Sequence, residues 1–345
     1  MLAPIRGTNQ YWFRVKGEVK AMIAEYGSPT LFLTLTCAEY NSADIAQYLR
    51  KVNNAPPSYS ISRLCTEDPV SVSRQFSYKF KDFFNIVILQ RGVLGKVEQY
   101  YVKKEYQMHG APHYHILIWI ENAPVVGIDC PEEVCSFMKD RITCHIPDSN
   151  TSPDLNLLVT KYQMHKCSNY CKRNIKVGKT YVSRCRFDFP RPVRDSICIN
   201  DAKNSLKSCN KIYYLKRNEK EVQVNDYNPL LLKLRLANMD LQYIAEKSLS
   251  LTEYVTGYVT KAEKSHARDL WDEVSSCDNI YSRLWKIGQK LLRAKDVGLY
   301  EANESTLVMK GETMEVAFRR HSEASIHGIE NHFNKLQKLL EAERN

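Results

Sequence analysis

The sequence lacks several features that would assign it to common classes of protein. No apolar run approaches the roughly 20 residues that a membrane-spanning helix needs. There is no internal repeat and no low-complexity segment. The chain opens with MLAPIRGTNQYWFRVKGE, which has no apolar stretch typical of a secretory signal. We therefore expect a globular protein of one large or two medium domains, in the cytosol or the nucleus.

A complete phosphate-binding loop is also absent. Gly178-Lys179-Thr180 resembles the end of such a loop. The motif needs a glycine five residues before Gly178, and Arg173 stands at that position. ATP hydrolysis is therefore not expected of this sequence.

The cysteines indicate metal binding rather than disulfides. There are 11 of them, an odd number, and no secretion signal accompanies them. Four residues follow the spacing H-x-C-x3-C-x13-C and provide a full ligand set for a structural zinc ion. They are His165, Cys167, Cys171 and Cys185. The alternative is a chance grouping of thiols in an irregular segment.

A looser group of candidate ligands precedes this set. It consists of Cys130, Cys135, Cys144 and His145. We interpret these mainly as residues that pack helices, with a second zinc site as the alternative.

The charge balance points to a polyanionic partner. Lys and Arg exceed Asp and Glu by 49 to 39, a net charge of +10. Each phosphate that a basic side chain neutralises releases counterions, so the excess favours nucleic-acid binding. Some of the 21 tyrosines could stack on unpaired bases. A merely soluble basic protein is the alternative.

The order of predicted elements favours an α+β fold with an antiparallel sheet. Leu31–Thr36 reads as a buried strand, and Lys96–Gln107 with His113–Glu121 as an antiparallel hairpin. Between His165 and Pro192 we expect an irregular, metal-held insert, and Lys211–Val224 could add one or two strands. Helices are predicted at Val70–Gln90, Cys130–Asp140, Pro153–Met164 and Leu251–Lys264, and from Ala267 onward.

His113-Tyr114-His115 is the first candidate catalytic feature. Alternate residues of a strand share a face, so both imidazoles project from one side, about 6–7 Å apart. Glu105 and Gln107 share a face of the neighbouring strand, and either could complete the site. A carboxylate with two imidazoles suits Mg²⁺ or Mn²⁺ at a phosphate. The alternative is two histidines on a half-buried strand without a metal.

Tyr254 and Tyr258 form the second feature, in LTEYVTGYVTK. Four residues apart on a helix, they lie on one face about one turn apart, and Lys261 continues that face. A phenolate can attack a phosphodiester, retain the new 5′ end as phosphotyrosine and release a 3′-OH. The alternative is an aromatic stripe in the core.

Several segments together resemble Helitron rolling-circle transposases. Glu105–Pro124 (EYQMHGAPHYHILIWIENAP) resembles their HUH segment, and Glu253–Lys261 (EYVTGYVTK) their paired-tyrosine motif. Other segments match in the family's order. Leu31–Tyr40 (LFLTLTCAEY) resembles its first strand, and YQMHKCSNYCKR and CRFDFPRP its cysteine-rich insert. Tyr227–Ile244 (YNPLLLKLRLANMDLQYI) resembles the strand-forming block before the tyrosine helix, and Val297–Ala302 (VGLYEA) a segment found before the helicase half.

The resemblance implies an HUH endonuclease fold, in which a central antiparallel sheet presents the paired histidines and a tyrosine helix packs across it. It implies that His113 and His115 hold the catalytic metal and that Tyr254 and Tyr258 are the nucleophiles. A glutamate on the adjacent strand often completes such sites in related replication initiators, and Glu105 fits. The implied activity is nicking and strand transfer of single-stranded DNA at transposon ends, in rolling-circle transposition in the nucleus.

The expected organisation is a segment at 1–30, an HUH nuclease domain at 31–264 and a helical region at 265–345. The zinc-binding insert would occupy about 164–192. Family members usually continue into a superfamily 1 helicase, which this sequence does not contain. We therefore expect either a fragment or a stand-alone nuclease.

Two other functions remain open at this point. One is a non-catalytic, zinc-containing nucleic-acid-binding module. The other is a metal hydrolase that uses His113, His115 and a water molecule. The binding module would form no covalent adduct with DNA. The tyrosine pair separates the nickase from the hydrolase, because only the nickase needs a phenol for cleavage.

Overall fold

A computed structural model gives the structure of the protein over six ranges of the chain. These are 9–37, 43–106, 112–169, 171–177, 180–199 and 213–244. The predicted class is confirmed, since these residues form a mixed α+β fold with a four-stranded antiparallel sheet. Within these ranges no helix is both long enough and apolar enough to cross a membrane.

Seven α-helices occur in this part of the chain: α1 Asn9–Tyr26, α2 Ala43–Val52, α3 Ile61–Glu67, α4 Pro69–Asp82, α5 Pro131–Arg141, α6 Pro153–Tyr162 and α7 Pro229–Arg235. The last four begin with proline, whose missing N–H would be unpaired in a first turn anyway. The preceding side chain caps two of them: Asp68 accepts from the Ser71 N–H, and Asn228 from the Leu231 N–H. α4 runs directly into π-helical turns at Phe83–Gln90, and a 3-10 turn covers Glu219–Glu221.

The strands are β1 Leu31–Thr36, β2 Val97–Tyr106, β3 Pro112–Ile120, β4 Lys172–Val177, β5 Thr180–Cys185, β6 Cys198–Ile199, β7 Tyr213–Tyr214 and β8 Met239–Tyr243. The main sheet has the order β2-β3-β1-β8, and every neighbouring pair is antiparallel. β1 therefore lies between two strands that are far from it in sequence.

One face of this sheet forms the main hydrophobic core. Alternate residues of β1 and β3 point into it, and the π-helical turns, α5 and α7 supply its other wall. Its fully buried members include Leu31, Leu33, Leu35, Ile116, Ile118, Val87 and Leu232. This burial fixes the register of the strands, because a slip by one residue would exchange the two faces.

The second face is covered by α1 near the Trp119 end of β3. Val19 of α1 packs on Leu117 and Trp119, and the Trp119 indole N–H donates to the Gly27 carbonyl at 2.8 Å. Gly27 has a φ of 76°, a left-handed conformation in which glycine ends helices readily. His113 and His115 lie on this same face, because they alternate with the residues of the core face.

The insert contains a regular element that the sequence did not reveal. β4 and β5 form an antiparallel hairpin in register from Lys172 with Cys185 to Val177 with Thr180. The prediction of an irregular insert is therefore corrected. Most of the hairpin's side chains are exposed. Its sequence consequently lacks the alternation of apolar and polar residues by which strands are recognised.

The structure confirms some of the other predicted elements, corrects one and does not describe the rest. β1 has the predicted bounds, and the pairing of β2 with β3 is confirmed. Tyr227–Ile244, expected as a strand-forming block, contains α7 before β8. Leu251–Lys264 and the chain from Ala267 onward lie outside the described residues.

Candidate active site and metal centres

Two rows of cross-strand partners lie next to each other on the second face of the sheet. The first row consists of Glu105, His113 and Thr36. The second row consists of Lys103, His115, Thr34 and Asp240. Because residues two apart on a strand share a face, both rows project from the same side. The sheet thus gathers two imidazoles, two carboxylates, an amine and two hydroxyls in one place.

Glu105 and His115 are in direct contact across β2 and β3. Glu105 Oε2 lies 3.0 Å from His115 Nε2. The ring centroids of His113 and His115 are 6.3 Å apart, which agrees with alternate residues on a strand. Two cis ligands of an octahedral Mg²⁺ ion, each about 2.1 Å from it, would be about 3.0 Å apart. The Glu105–His115 pair therefore fits two neighbouring ligand positions of such an ion.

The charge of Glu105 is maintained despite partial burial. Its side chain is 32% exposed, and that of His115 is 7% exposed. Burial alone would raise the pKa of Glu105, but the hydrogen bond to His115 and the charges of His115, Lys103 and His113 lower it overall. The carboxylate is the form that ligates a divalent ion. The site therefore holds this side chain in its ligating state.

Thr34 contacts the other nitrogen of His115. Its Oγ1 lies 3.3 Å from Nδ1, while Nε2 faces Glu105. If Nδ1 carries the proton and donates to Thr34, the Nε2 lone pair remains available to a metal. The sequence placed Thr34 in a strand, but its role depends on the pairing of β1 with β3, which connects residues 81 positions apart.

Lys103 and Asp240 were also not predicted. Lys103 is buried beside His115, and Asp240 is half-buried beside Thr34, where the Gln242 amide donates to it. Lys103 lies two residues before Glu105 on β2 and so shares its face of the sheet. This alternation could have identified Lys103 as a site residue from the sequence. Asp240 carries no comparable signal, because its position depends on β8 pairing with β1.

The four predicted zinc ligands lie together in the insert. One ligand atom from each of His165, Cys167, Cys171 and Cys185 lies within 4.8 Å of the other three. Cys185 Sγ is 3.4 Å from His165 Nε2. For a tetrahedral zinc ion with bonds of about 2.3 Å to sulfur and about 2.0 Å to nitrogen, this edge would be about 3.5 Å. The cluster could therefore bind a metal such as zinc.

The hairpin brings the cysteines together. Cys171 immediately precedes β4 and Cys185 ends β5, and the Arg186 N–H donates to the Cys171 carbonyl at 2.7 Å. The Ser168 N–H donates to Cys171 Sγ at 3.2 Å and lowers the pKa of this thiol. Partial desolvation and contacts with the other two thiols raise the pKa of Cys167 to about 11. A cation would stabilise all three thiolates at once.

His165 is fixed from two sides. Its backbone N–H donates to the Gln223 carbonyl at 2.8 Å, and its ring stacks on Phe189 with centroids 4.4 Å apart. Desolvation, followed by the charge of Arg191, lowers the pKa of His165. The neutral ring that metal binding requires is thereby favoured.

The looser group of candidate ligands does not form a second centre within the described residues. Its members are Cys130, Cys135, Cys144 and His145. Each contacts a different partner: in order, Glu132, the Ile197 carbonyl, the Lys216 carbonyl and Glu221. The interpretation as packing residues is confirmed for Cys135 and Cys144, which lie in or against the main core, but it is wrong for Cys130 and His145, whose side chains are exposed.

Four predicted site residues lie outside the described residues. They are Gln107, Tyr254, Tyr258 and Lys261. Their roles remain predictions from spacing and resemblance.

Together these observations define an α+β protein with a His- and Glu-bearing sheet face and a separate Cys/His group that could bind a metal. The family model for the Helitron helicase-like domain at the N-terminus matches residues 1–118. The chain is therefore similar to that domain over this segment, which contains Glu105, His113 and His115. The Cys/His group lies beyond it. No curated protein matches the chain.

Proposed function

We propose that this protein is a metal-dependent nickase and strand transferase for single-stranded DNA at transposon ends, acting in rolling-circle transposition in the nucleus. The observation that carries the proposal is the contact of Glu105 with His115, beside His113, inside a Helitron-related segment. A phosphodiester nickase needs a divalent ion and a nucleophile. The sheet face offers ligands for the first, and the predicted tyrosine helix offers the second.

His113, His115 and Glu105 would hold Mg²⁺ or Mn²⁺, with Gln107 as the second candidate for the third ligand. When bound, such an ion polarises the phosphoryl oxygens and offsets the charge that develops on them. Thr34 orients His115 through Nδ1. Lys103 adds positive charge beside the ligands, where a phosphate would be attracted.

The nucleophile in this proposal is Tyr254 or Tyr258. The phenolate oxygen attacks phosphorus, forming a new oxygen–phosphorus bond, and the bond to the 3′ oxygen breaks. The 3′ oxygen leaves as a hydroxyl after taking up a proton. Lys261, predicted on the same helix face, could stabilise the phenolate. Attack by a 3′-OH on the phosphotyrosine reverses the chemistry and joins strands.

A denaturing gel tests the proposal directly. The chain is incubated with a 5′-labelled and, separately, a 3′-labelled single-stranded oligonucleotide in the presence of Mn²⁺. We expect a protein–DNA adduct with the 3′-labelled strand, a shorter free product with the 5′-labelled strand, and loss of both with EDTA. Cleavage without an adduct would instead indicate a hydrolase. DNA binding without cleavage would indicate a zinc-containing binding module, the alternative that the basic Cys/His insert favours.

The Glu105→Gln variant should lose catalytic metal binding. The amide keeps the shape of the side chain but removes the charge that faces His115. Changes in groups that only support metal ligands lower affinity about 10- to 100-fold, so loss of a ligand charge should weaken Mn²⁺ binding at least about 100-fold. Paramagnetic resonance of free Mn²⁺ during a titration measures the effect.

Two controls accompany this variant. Glu98→Gln changes an exposed glutamate of the same strand and should bind Mn²⁺ like the wild type. Gln107→Ala tests the second candidate ligand. Normal Mn²⁺ affinity in Glu105→Gln together with lost Mn²⁺ affinity in Gln107→Ala would show that Gln107, and not Glu105, is the third ligand.

Thr34 should act as a positioning residue for His115. Thr34→Val preserves the shape but removes the hydroxyl that contacts Nδ1, so Mn²⁺ affinity should fall about 10- to 100-fold. Thr34→Ser keeps a hydroxyl and should restore most of the affinity. Equal weakening in both variants would attribute the effect to packing and contradict a role through Nδ1.

A further inference from the structure

Most of the net positive charge of the chain lies in the insert. Together with Val193 and Arg194, which follow it, the insert (residues 165–194) contains nine Lys or Arg and one Asp, a net charge of +8 against +10 for the whole chain. The remaining 315 residues are therefore close to neutral as a group. Such a concentration of charge is the electrostatic pattern of a surface that binds a polyanion.

The β4–β5 hairpin presents much of this charge to solvent. Lys172–Lys176 and Thr180–Arg184 are exposed on both faces of the hairpin. A two-stranded hairpin without a core is marginally stable in water. Here the base is fastened by Cys171 and Cys185, which belong to the metal-ligand group. The Cys/His group at its base thus holds the hairpin, whose other residues project into solvent.

One face of the hairpin carries two arginines directly opposite each other. Arg173 pairs with Arg184, and Ile175 pairs with Val182 on the same face. Like charges at directly opposite positions destabilise a strand pair. Within the described residues neither arginine forms an ion pair. A phosphate held between the two guanidinium groups would remove the repulsion and accept their N–H groups.

The other face combines an aromatic ring with amines. Tyr181 is 70% exposed and lies directly opposite Lys176, while Lys172 lies further along the same face. An exposed ring beside basic side chains can stack on a base while the amines contact the backbone. Only an unpaired base offers a free face for stacking, so this arrangement favours a single strand over a duplex.

The root of the insert is attached to the main sheet near the first row of the candidate active site. The Asn238 amide donates to the Tyr162 carbonyl at 2.5 Å, and the Thr36 N–H donates to the Asn238 carbonyl at 3.1 Å. Thr36 is the cross-strand partner of His113. The Gln163 amide can also bond both backbone groups of Met239, the first residue of β8. The start of the insert therefore lies beside the end of β1 that carries Thr36.

We propose that the β4–β5 hairpin is a binding element for single-stranded DNA, in which Arg173 and Arg184 hold the phosphate backbone and Tyr181 stacks on a base. The proposal deepens the nickase proposal and rests on it for the identity of the nucleic acid. The element would hold DNA next to the cleavage site without taking part in the chemistry.

Fluorescence anisotropy with a labelled single-stranded oligonucleotide tests this inference on the full, zinc-loaded chain. Mg²⁺ and Mn²⁺ are omitted, so no cleavage is required. The double variant Arg173→Gln with Arg184→Gln should bind about 10-fold more weakly. Its slope of log affinity against log salt should be shallower by about 0.7, the value for one lost phosphate contact on a single strand. Lys20→Gln with Lys51→Gln removes two exposed charges elsewhere and should stay within about 2-fold of the wild type.

Tyr181 is tested separately. Tyr181→Ala should weaken binding about 10-fold without changing the salt slope, and Tyr181→Phe should restore it, because stacking needs the ring and not the hydroxyl. An unchanged salt slope in the arginine variant, or wild-type affinity in Tyr181→Ala, would overturn the inference. Equal or stronger binding of a duplex would do the same.

Failure of the nickase proposal gives a different pattern. The wild-type chain would then form no adduct with Mn²⁺, while hairpin-dependent binding would persist in its absence. If only the hairpin inference fails, adduct formation remains and the hairpin variants bind DNA normally. Zinc content is measured for every variant to confirm that the insert is intact.

Discussion

Replacing both Tyr254 and Tyr258 with phenylalanine is expected to abolish covalent attachment to DNA and strand cleavage together. Phenylalanine keeps the ring and removes only the oxygen that would attack phosphorus. Loss of a covalent nucleophile lowers rates by about 10⁴- to 10⁶-fold in other enzymes, and a loss on this scale is expected here. The denaturing gel used for the nickase proposal measures both products.

The single variants add information about the pair. If each tyrosine can attack, Tyr254→Phe and Tyr258→Phe should each retain an adduct, and the position of the remaining phosphotyrosine can be mapped by mass spectrometry. Tyr26→Phe changes an exposed tyrosine of α1 and should cleave like the wild type. Mn²⁺ affinity should be unchanged in all of these variants, because the proposed metal ligands are on the sheet.

Persistent cleavage in the double variant would exclude tyrosine as the nucleophile. It would favour the hydrolase in which His113 and His115 hold an ion and water attacks. Loss of cleavage together with loss of Mn²⁺ binding would indicate damage to the fold and would also contradict a purely nucleophilic role.

Local sequence patterns predicted the parts of the fold whose pairing is local. The two strands around His109–Pro112 pair as expected, and Glu105 lies directly opposite His113. The same pattern placed His113 and His115 on one face. These predictions succeed because a hairpin with a buried face allows one register, and strand alternation then fixes which side chains meet.

The rest of the sheet depends on contacts between distant segments. Nothing in LFLTLT indicates that β1 lies between β3 and β8, and without that pairing neither Thr34 nor Asp240 can be placed beside His115. The β4–β5 hairpin was missed for a different reason. Its strands are exposed on both sides, so no hydrophobic periodicity marks them.

For the Cys/His group, in contrast, the spacing of the residues along the chain was sufficient to predict that they lie together. Three of its four candidate ligands lie within seven residues, so a short loop brings them together whatever the surrounding fold. The β4–β5 hairpin brings the fourth, Cys185, next to Cys171, and the sequence did not reveal the length of this hairpin. Ligand spacing thus predicted the group without predicting the element that closes it.

Removal of one ligand from this group should have the largest effect on structure. We expect about one zinc ion per chain in protein purified without chelators, and close to none in Cys185→Ser. Within the described residues, the buried apolar cluster of the insert has three members, Cys171, Cys185 and Phe189, and two of them are candidate ligands. Structural zinc contributes about 10–16 kcal/mol in zinc-finger peptides, far more than so small a core can supply.

The consequence should be confined to the insert. The main core shares no residue with the cluster of Cys171, Cys185 and Phe189, so the sheet should remain folded when zinc is lost. Trypsin should then cut rapidly at the basic residues of the hairpin in Cys185→Ser, with little effect in Cys130→Ser, which changes an exposed cysteine outside the group. Full zinc content in Cys185→Ser, or equal protease resistance in both variants, would show that no ion holds the hairpin in place.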